Sequence, residues 1–185
     1  TALVMAGMRT VISGSDDNTI KVWNVPTRSQ VATLTGHERQ ILSLVLINDD
    51  QTLISGSCDS SIRVWDLDTY TEDFILEGHT DSVQCLDVAE EAQVLVSGSM
   101  DRTFKIWDLK LRQEECTINH DRDYVMAIAI TNDAKKIATC TVEDHITIWN
   151  RDRRQKEFIL EGHTSGPTKV LFSSDCKRLI SASED

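Results

Sequence analysis

No apolar run in this chain approaches the roughly 18 residues needed to cross a bilayer, and no basic stretch followed by an apolar one opens it. A membrane-spanning or leader-bearing chain is not expected, although a start at Thr1 without Met predicts that a segment upstream has been removed. Positive charge is also scarce. Thirty acidic residues against nineteen basic ones leave a net charge of -11, which repels phosphate backbones and anionic lipid over most approaches, so neither nucleic acid nor membrane is an expected partner. The one basic cluster, Arg151 to Lys156, contains Asp152 and reads as a solvated turn. Paired cysteines are lacking as well. Cys58, Cys85, Cys116, Cys140 and Cys176 are odd in number and scattered, without a CxxC pair, which argues against a disulfide framework or a zinc site and for a reducing compartment, cytoplasmic or nuclear. No glycine-rich phosphate loop or cluster of metal ligands is present, so no cofactor is expected.

Helical periodicity is missing too, and what stands in its place is repetition. Trp23, Trp65, Trp107 and Trp149 follow one another at intervals of 42 residues, the range in which four-stranded propeller blades recur. The 185 residues therefore hold about four and a half units. In the clearest unit, residues 36–77, Ile41 to Ile47 is a nearly continuous apolar run, as in a strand covered on both faces, and it ends at the polar turn Asn48-Asp49-Asp50-Gln51. Leu53 to Ser57 predicts a second strand. Ser61 to Asp66 predicts a third, whose alternation puts Ile62 and Val64 on one face and Arg63 and Trp65 on the other. Asp73 to Leu76 predicts the fourth. The expected fold is all-β, built of meandering four-stranded antiparallel sheets.

Gly36-His37, Gly78-His79 and Gly162-His163, the Ser-Gly-Ser triplets at 13–15, 55–57 and 97–99, and the pairs Trp65-Asp66 and Trp107-Asp108 together resemble the tryptophan-aspartate (WD) repeat β-propellers, over the whole chain. The resemblance implies blades at about 1–35, 36–77, 78–118 and 119–161 and a half blade at 162–185. Closed propellers use about four to eight blades, in this family most often about seven, so an incomplete ring belonging to a longer propeller is expected, its open blades covered by another propeller segment or a second copy.

The resemblance also implies a buried hydrogen-bonded tetrad in each blade. Matching positions are His37, Ser55, Asp59 and Trp65, then His79, Ser97, Asp101 and Trp107, then His120, Thr139, Glu143 and Trp149. Partial sets are Ser13, Asp17 and Trp23 at one end and His163, Ser181 and Asp185 at the other. Asp accepts from His, His bonds the hydroxyl, and the hydroxyl accepts the indole N–H, so each buried polar group has a partner. The third set departs from the pattern: Asn119 precedes its His, one extra residue separates His120 from Thr139, and Glu143 stands where Asp is expected. Either Glu143 bends back to His120 or Asp144 shifts into place. His, Ser and Asp are also the residue types of a hydrolase triad, but a copy in every repeat, each engaging a Trp, points to structure rather than to catalysis. His145 beside Glu143 and Asp144 is the one local cluster of its kind and reads as a solvated loop.

Function then falls to the surface. By the resemblance, the narrow rim of the propeller is lined by Gln40, Leu42, Ser82, Gln84, Tyr124 and Met126 at the starts of first strands, and by Asp16, Cys58, Met100, Val142 and Glu184 before the tetrad acids. It implies a non-catalytic scaffold that docks peptides or protein partners there. A substrate-recognition subunit of a larger modifying complex, such as a ubiquitin ligase, would use the same rim. A propeller enzyme would need a unique acid, base or metal cluster in the channel.

Overall fold

A computed structural model describes residues 2–120 and 123–185, and every regular element in them is a β-strand. The chain divides into two compact units, one ending at Val83 and one running Gln84–Asp185. In the first, β1 (Ala2–Ala6), β2 (Thr10–Gly14), β3 (Ile20–Asn24) and β4 (Ser29–Leu34) form one antiparallel meander, and β5 (Ile41–Ile47), β6 (Thr52–Ser57), β7 (Ile62–Asp66) and β8 (Thr71–Leu76) form the next. The fourth strand of this second sheet begins at Thr71, two residues before the sequence pattern placed it, because polar residues pair as well as apolar ones along an exposed outer strand.

Beginning at the boundary, β9 (Val83–Ala89), β10 (Val94–Ser99), β11 (Thr103–Asp108) and β12 (Gln113–Asn119) form a third four-stranded sheet. A fourth comprises β13 (Ala127–Ile130), β14 (Lys136–Cys140), β15 (Ile146–Asn150) and β16 (Gln155–Leu160), and β17 (Pro167–Phe172) pairs with β18 (Leu179–Ser183) in a two-stranded sheet. These are the four-stranded blades of a propeller.

Each complete blade repeats two local devices. The pairing register shifts between Val22 and Trp23, Val64 and Trp65, Ile106 and Trp107, and Ile148 and Trp149, so every indole leaves its strand at an irregularity of the kind that re-aims a side chain. The turn from third to fourth strand holds a non-glycine residue in the left-handed region, Arg28, Tyr70, Arg112 and Arg154, at φ of 55, 57, 55 and 53°. A third device, close approach, belongs to blades with a glycine in the second strand, as at Gly14 and Gly98. In the second unit, a Cβ on Gly98 would lie 2.5 Å from Val125 Cγ1 and 2.6 Å from Cys85 Sγ, so only glycine leaves room for the next blade's lead-in.

The core lies between faces of neighbouring sheets. In the first unit β5 packs on β1 and β2, and Ile12, Ile20, Val22 and Leu34 meet Ile41, Leu53 and Trp65. In the second, Val94, Val96, Phe104 and Ile106 meet Ile128, Ile130, Ile137 and Trp149, with Phe104 edge-on to Trp149 at 5.1 Å between ring centres. Beyond that sheet Ala127, Ala129, Ala138, Cys140, Ile146 and Ile148 carry Val170 of β17.

Candidate functional site

The polar residues around each Trp form a directed chain of hydrogen bonds. Trp65 Nε1 donates to Ser55 Oγ at 2.8 Å, Ser55 Oγ lies 2.7 Å from His37 Nε2, and His37 Nδ1 lies 2.8 Å from Asp59 Oδ2. One consistent direction runs indole to hydroxyl, hydroxyl to Nε2, Nδ1–H to carboxylate. Asp59 Oδ2 also accepts the Glu38 amide at 2.9 Å, and Oδ1 accepts both the amide and the hydroxyl of Ser61. Burial opposes the ionisation of Asp59, but the bonds from His37, Ser61 and the two amides outweigh it and hold the carboxyl well below the usual carboxylate range. Ser55 has no exposed surface, so its oxygen belongs to the interior and not to a substrate.

The same pieces recur. Trp23 donates to Ser13 at 2.9 Å, Trp107 to Ser97 at 2.8 Å and Trp149 to Thr139 at 2.8 Å. Asp17 and Asp101 accept the amide and hydroxyl of Thr19 and Thr103. His79 is buried ahead of β9. His163 holds Ser181 at 2.8 Å and Asp185 at 3.1 Å. Two further residue sets, given no role in the sequence expectation, complete the device. Thr19, Ser61 and Thr103, two residues past each acid, tie its carboxylate into the turn. Ser15, Ser57, Ser99, Thr141 and Ser183, two residues before it, accept its amide N–H. Both sets recur at the 42-residue spacing and could have been read from it.

The divergent blade corrects one expectation. His120 Nε2 reaches Thr139 Oγ1 at 3.1 Å, but Glu143 Oε2 lies 3.2 Å from His145 Nε2 and Asp144 Oδ1 lies 3.8 Å from His145 Nδ1. Neither carboxylate turns back to His120. The reason is positional: His145 occupies the place that Thr19, Ser61 and Thr103 hold elsewhere, and the longer Glu side chain takes the nearer imidazole. Of the basic cluster Arg151 to Lys156, Arg151 pairs with Glu115 on the neighbouring β12.

The eleven expected rim positions divide between the units. In the first, Asp16 and Gln40 are exposed, Leu42, Cys58 and Ser82 are half-buried, and the Cys58 amide donates to the Gln40 carbonyl at 2.9 Å. In the second, Gln84 and Met100 are half-buried, while Tyr124 and Val142 are exposed. Met126, Val142 and Glu184 come together in one cleft of about 300 Å³, with Thr141, Ser165, Gly166, Pro167 and Thr168. Tyr124 is not part of its lining. Gly166 makes the cleft possible, since a Cβ there would stand 2.8 Å from the Val142 carbonyl oxygen. Among the described residues of its walls Glu184 supplies the only formal charge, the others being apolar, hydroxyl or backbone.

The family model described as WD domain, G-beta repeat matches residues 6–24, 28–66, 71–108 and 154–185, more than half of the chain. The chain belongs to this family. No curated protein matches it. The longest stretch of the WD-repeat chain left unmatched, 109–153, carries His120, Thr139 and Glu143, the set with the altered acid and spacing. WD repeats generally mediate protein–protein interaction and are typically not enzymes. In this one His37, Ser55, His79 and Ser97 are buried, while the cleft at Met126, Val142 and Glu184 is open.

Proposed function

We propose that this WD-repeat protein is a non-catalytic scaffold that docks a peptide or protein partner on the rim, with the Met126–Val142–Glu184 cleft as the point of insertion. The observation that carries this reading is the cleft itself. A thioether, an isopropyl group and a proline ring offer an adaptable apolar floor, and one carboxylate at the edge selects a partner side chain that is long, apolar along its stem and cationic at its tip. A net charge of -11 works in the same direction by drawing basic segments to the surface. Free thiols support a reducing compartment, cytoplasmic or nuclear, with burial pushing the Cys140 thiol up to about 12, where it is unreactive.

Panning a displayed random-peptide library on the immobilised protein tests the reading. Selected peptides should be rich in Arg or Lys beside an apolar residue. Met126→Ala combined with Glu184→Lys should weaken them roughly tenfold or more, as for an interface anchor, while the melting temperature stays put. Equal affinity for the double variant would discard this site.

A further inference from the structure

Positive charge is scarce in this chain, yet two complete blades of the second unit gather it at one end. The turn after β11 carries Lys110 and Arg112, the turn after β13 ends on Lys135, and the turn after β15 carries Arg151, Arg153 and Arg154. The last two turns lie at the same end of their meander, where the Arg151 amide donates to the Lys135 carbonyl at 2.9 Å. Contacts with β12 join them to the first: Arg151 pairs with Glu115, and Arg154 lies 3.9 Å from the same carboxylate. Glu115 stands three residues along β12 from Arg112, about 10 Å at strand spacing, so the two groups of cations lie within roughly one Debye length and act as one field.

Within these turns, residues 109–112, 131–135 and 151–154, six cations stand against Asp133 and Asp152, a net +4 in a chain of net -11. Bordering acids are engaged locally, Glu115 by Arg151 and Asp108 by the Leu111 amide at 2.8 Å. Repetition supplies the position of this patch but not its charge. The turns of the first unit that correspond to 109–112 and 151–154 are 25–28 and 67–70, and there Arg28 and Asp68 cancel. The opposite end of the second unit's sheets has the opposite sign: among the described residues, its turns carry Asp101, Asp123, Glu143, Asp144 and Glu161 against Arg102. One apolar group is set into the basic surface. Leu111 is 65% exposed between Lys110 and Arg112, and Lys135, Arg153 and Arg154 are exposed as well.

We propose that this basic end of the second unit docks an acidic peptide segment of a partner protein. Its carboxylates are taken by the guanidinium forks of Arg153 and Arg154 and by the Lys110 ammonium, and an apolar neighbour rests on Leu111. A short peptide fits where a nucleic acid or a membrane does not. The patch covers three turns only, and an extended polyanion laid over it would meet Glu90 and Glu91 on the turn after β9 and the field of a chain of net -11. This site lies at the other end of the sheets from the Met126–Val142–Glu184 cleft, takes the opposite charge and does not depend on it.

The test titrates the full 185-residue protein into a fluorescently labelled peptide of Asp and Glu flanking a central Leu pair, followed by anisotropy. Saturable binding is expected, and the same peptide with Asn and Gln for its acids should not bind. Lys110→Glu combined with Arg153→Glu should weaken the acidic peptide about tenfold or more at an unchanged melting temperature. Leu111→Ser should weaken it several-fold while the salt dependence is kept, and Met126→Ala with Glu184→Lys should leave it as it is. The proposal is overturned if binding does not saturate, or if the charge-reversed protein binds the peptide as well as the wild type does. It is also overturned if polyuridylate or phosphatidylserine vesicles bind more tightly than the peptide and displace it. Sedimentation as an oligomer that Arg153→Glu dissociates would overturn it in favour of a second copy presenting its acidic end.

Discussion

Ser55 is the residue on which the second blade turns, because one oxygen joins the indole of β7 to the imidazole that precedes β5. Ser55→Ala strands both the Trp65 N–H and His37 Nε2 in the interior, at a cost on the order of 1–3 kcal/mol. At about 2–4 °C per kcal/mol for a chain of this size, the melting temperature should fall by several degrees in a calorimetric scan. An unchanged transition would mean that the hydroxyl is dispensable. Asp59 adds a pH dependence whose sign follows from its depressed folded-state pKa. Its unfolded value is about 3.9, so the stabilisation is in place above roughly pH 4 and disappears as pH falls through the lower folded value. Urea unfolding of the wild type and Asp59→Asn should therefore show the largest gap near neutrality and a narrowing gap below pH 4. A gap that stays constant with pH would rule out the charged carboxylate as its source.

At the scale of a blade, close passage between strands matters as much as the hydrogen bonds. Gly98 lets the chain around Val125 run directly over β10, and an added methyl has nowhere to go between Val125 and Cys85. Gly98→Ala should destabilise by about 1–3 kcal/mol, and Val125→Ala in the same background should recover part of it, which chemical denaturation of the single and double variants would reveal. Strands and their order were legible beforehand because alternation and polar turns are enforced locally: Ile62 and Val64 are both buried, although Trp65, expected on the opposite face, is buried as well. Thr71 and Glu72 went unread as strand since exposed polar residues carry no periodicity. Acids and hydroxyls of the buried sets were readable from spacing, whereas the destination of Glu143 was not. Side-chain length alone does not say which of two imidazoles a carboxylate will take. Gly166 and Thr168 escaped notice at the cleft because rim surfaces repeat in position but not in residue type.

For the molecule as a whole, charge is the property that reaches furthest. With -11 overall and Glu184 at the mouth of the cleft, a Lys- or Arg-bearing rim peptide should associate more slowly as salt rises. Stopped-flow rates should drop about tenfold between roughly 0.05 and 0.5 M salt, with dissociation little affected. Rates indifferent to salt would show that apolar contact alone guides the encounter. The left-handed residues at Arg28, Tyr70, Arg112 and Arg154 bear on the protein as an evolved object. Each spends something on the order of 1 kcal/mol that glycine would not, at four corresponding corners of the fold. Tolerance of the same avoidable handicap at every corner implies that natural selection has been content with sufficient durability, and that a sturdier version lies only a few codons away.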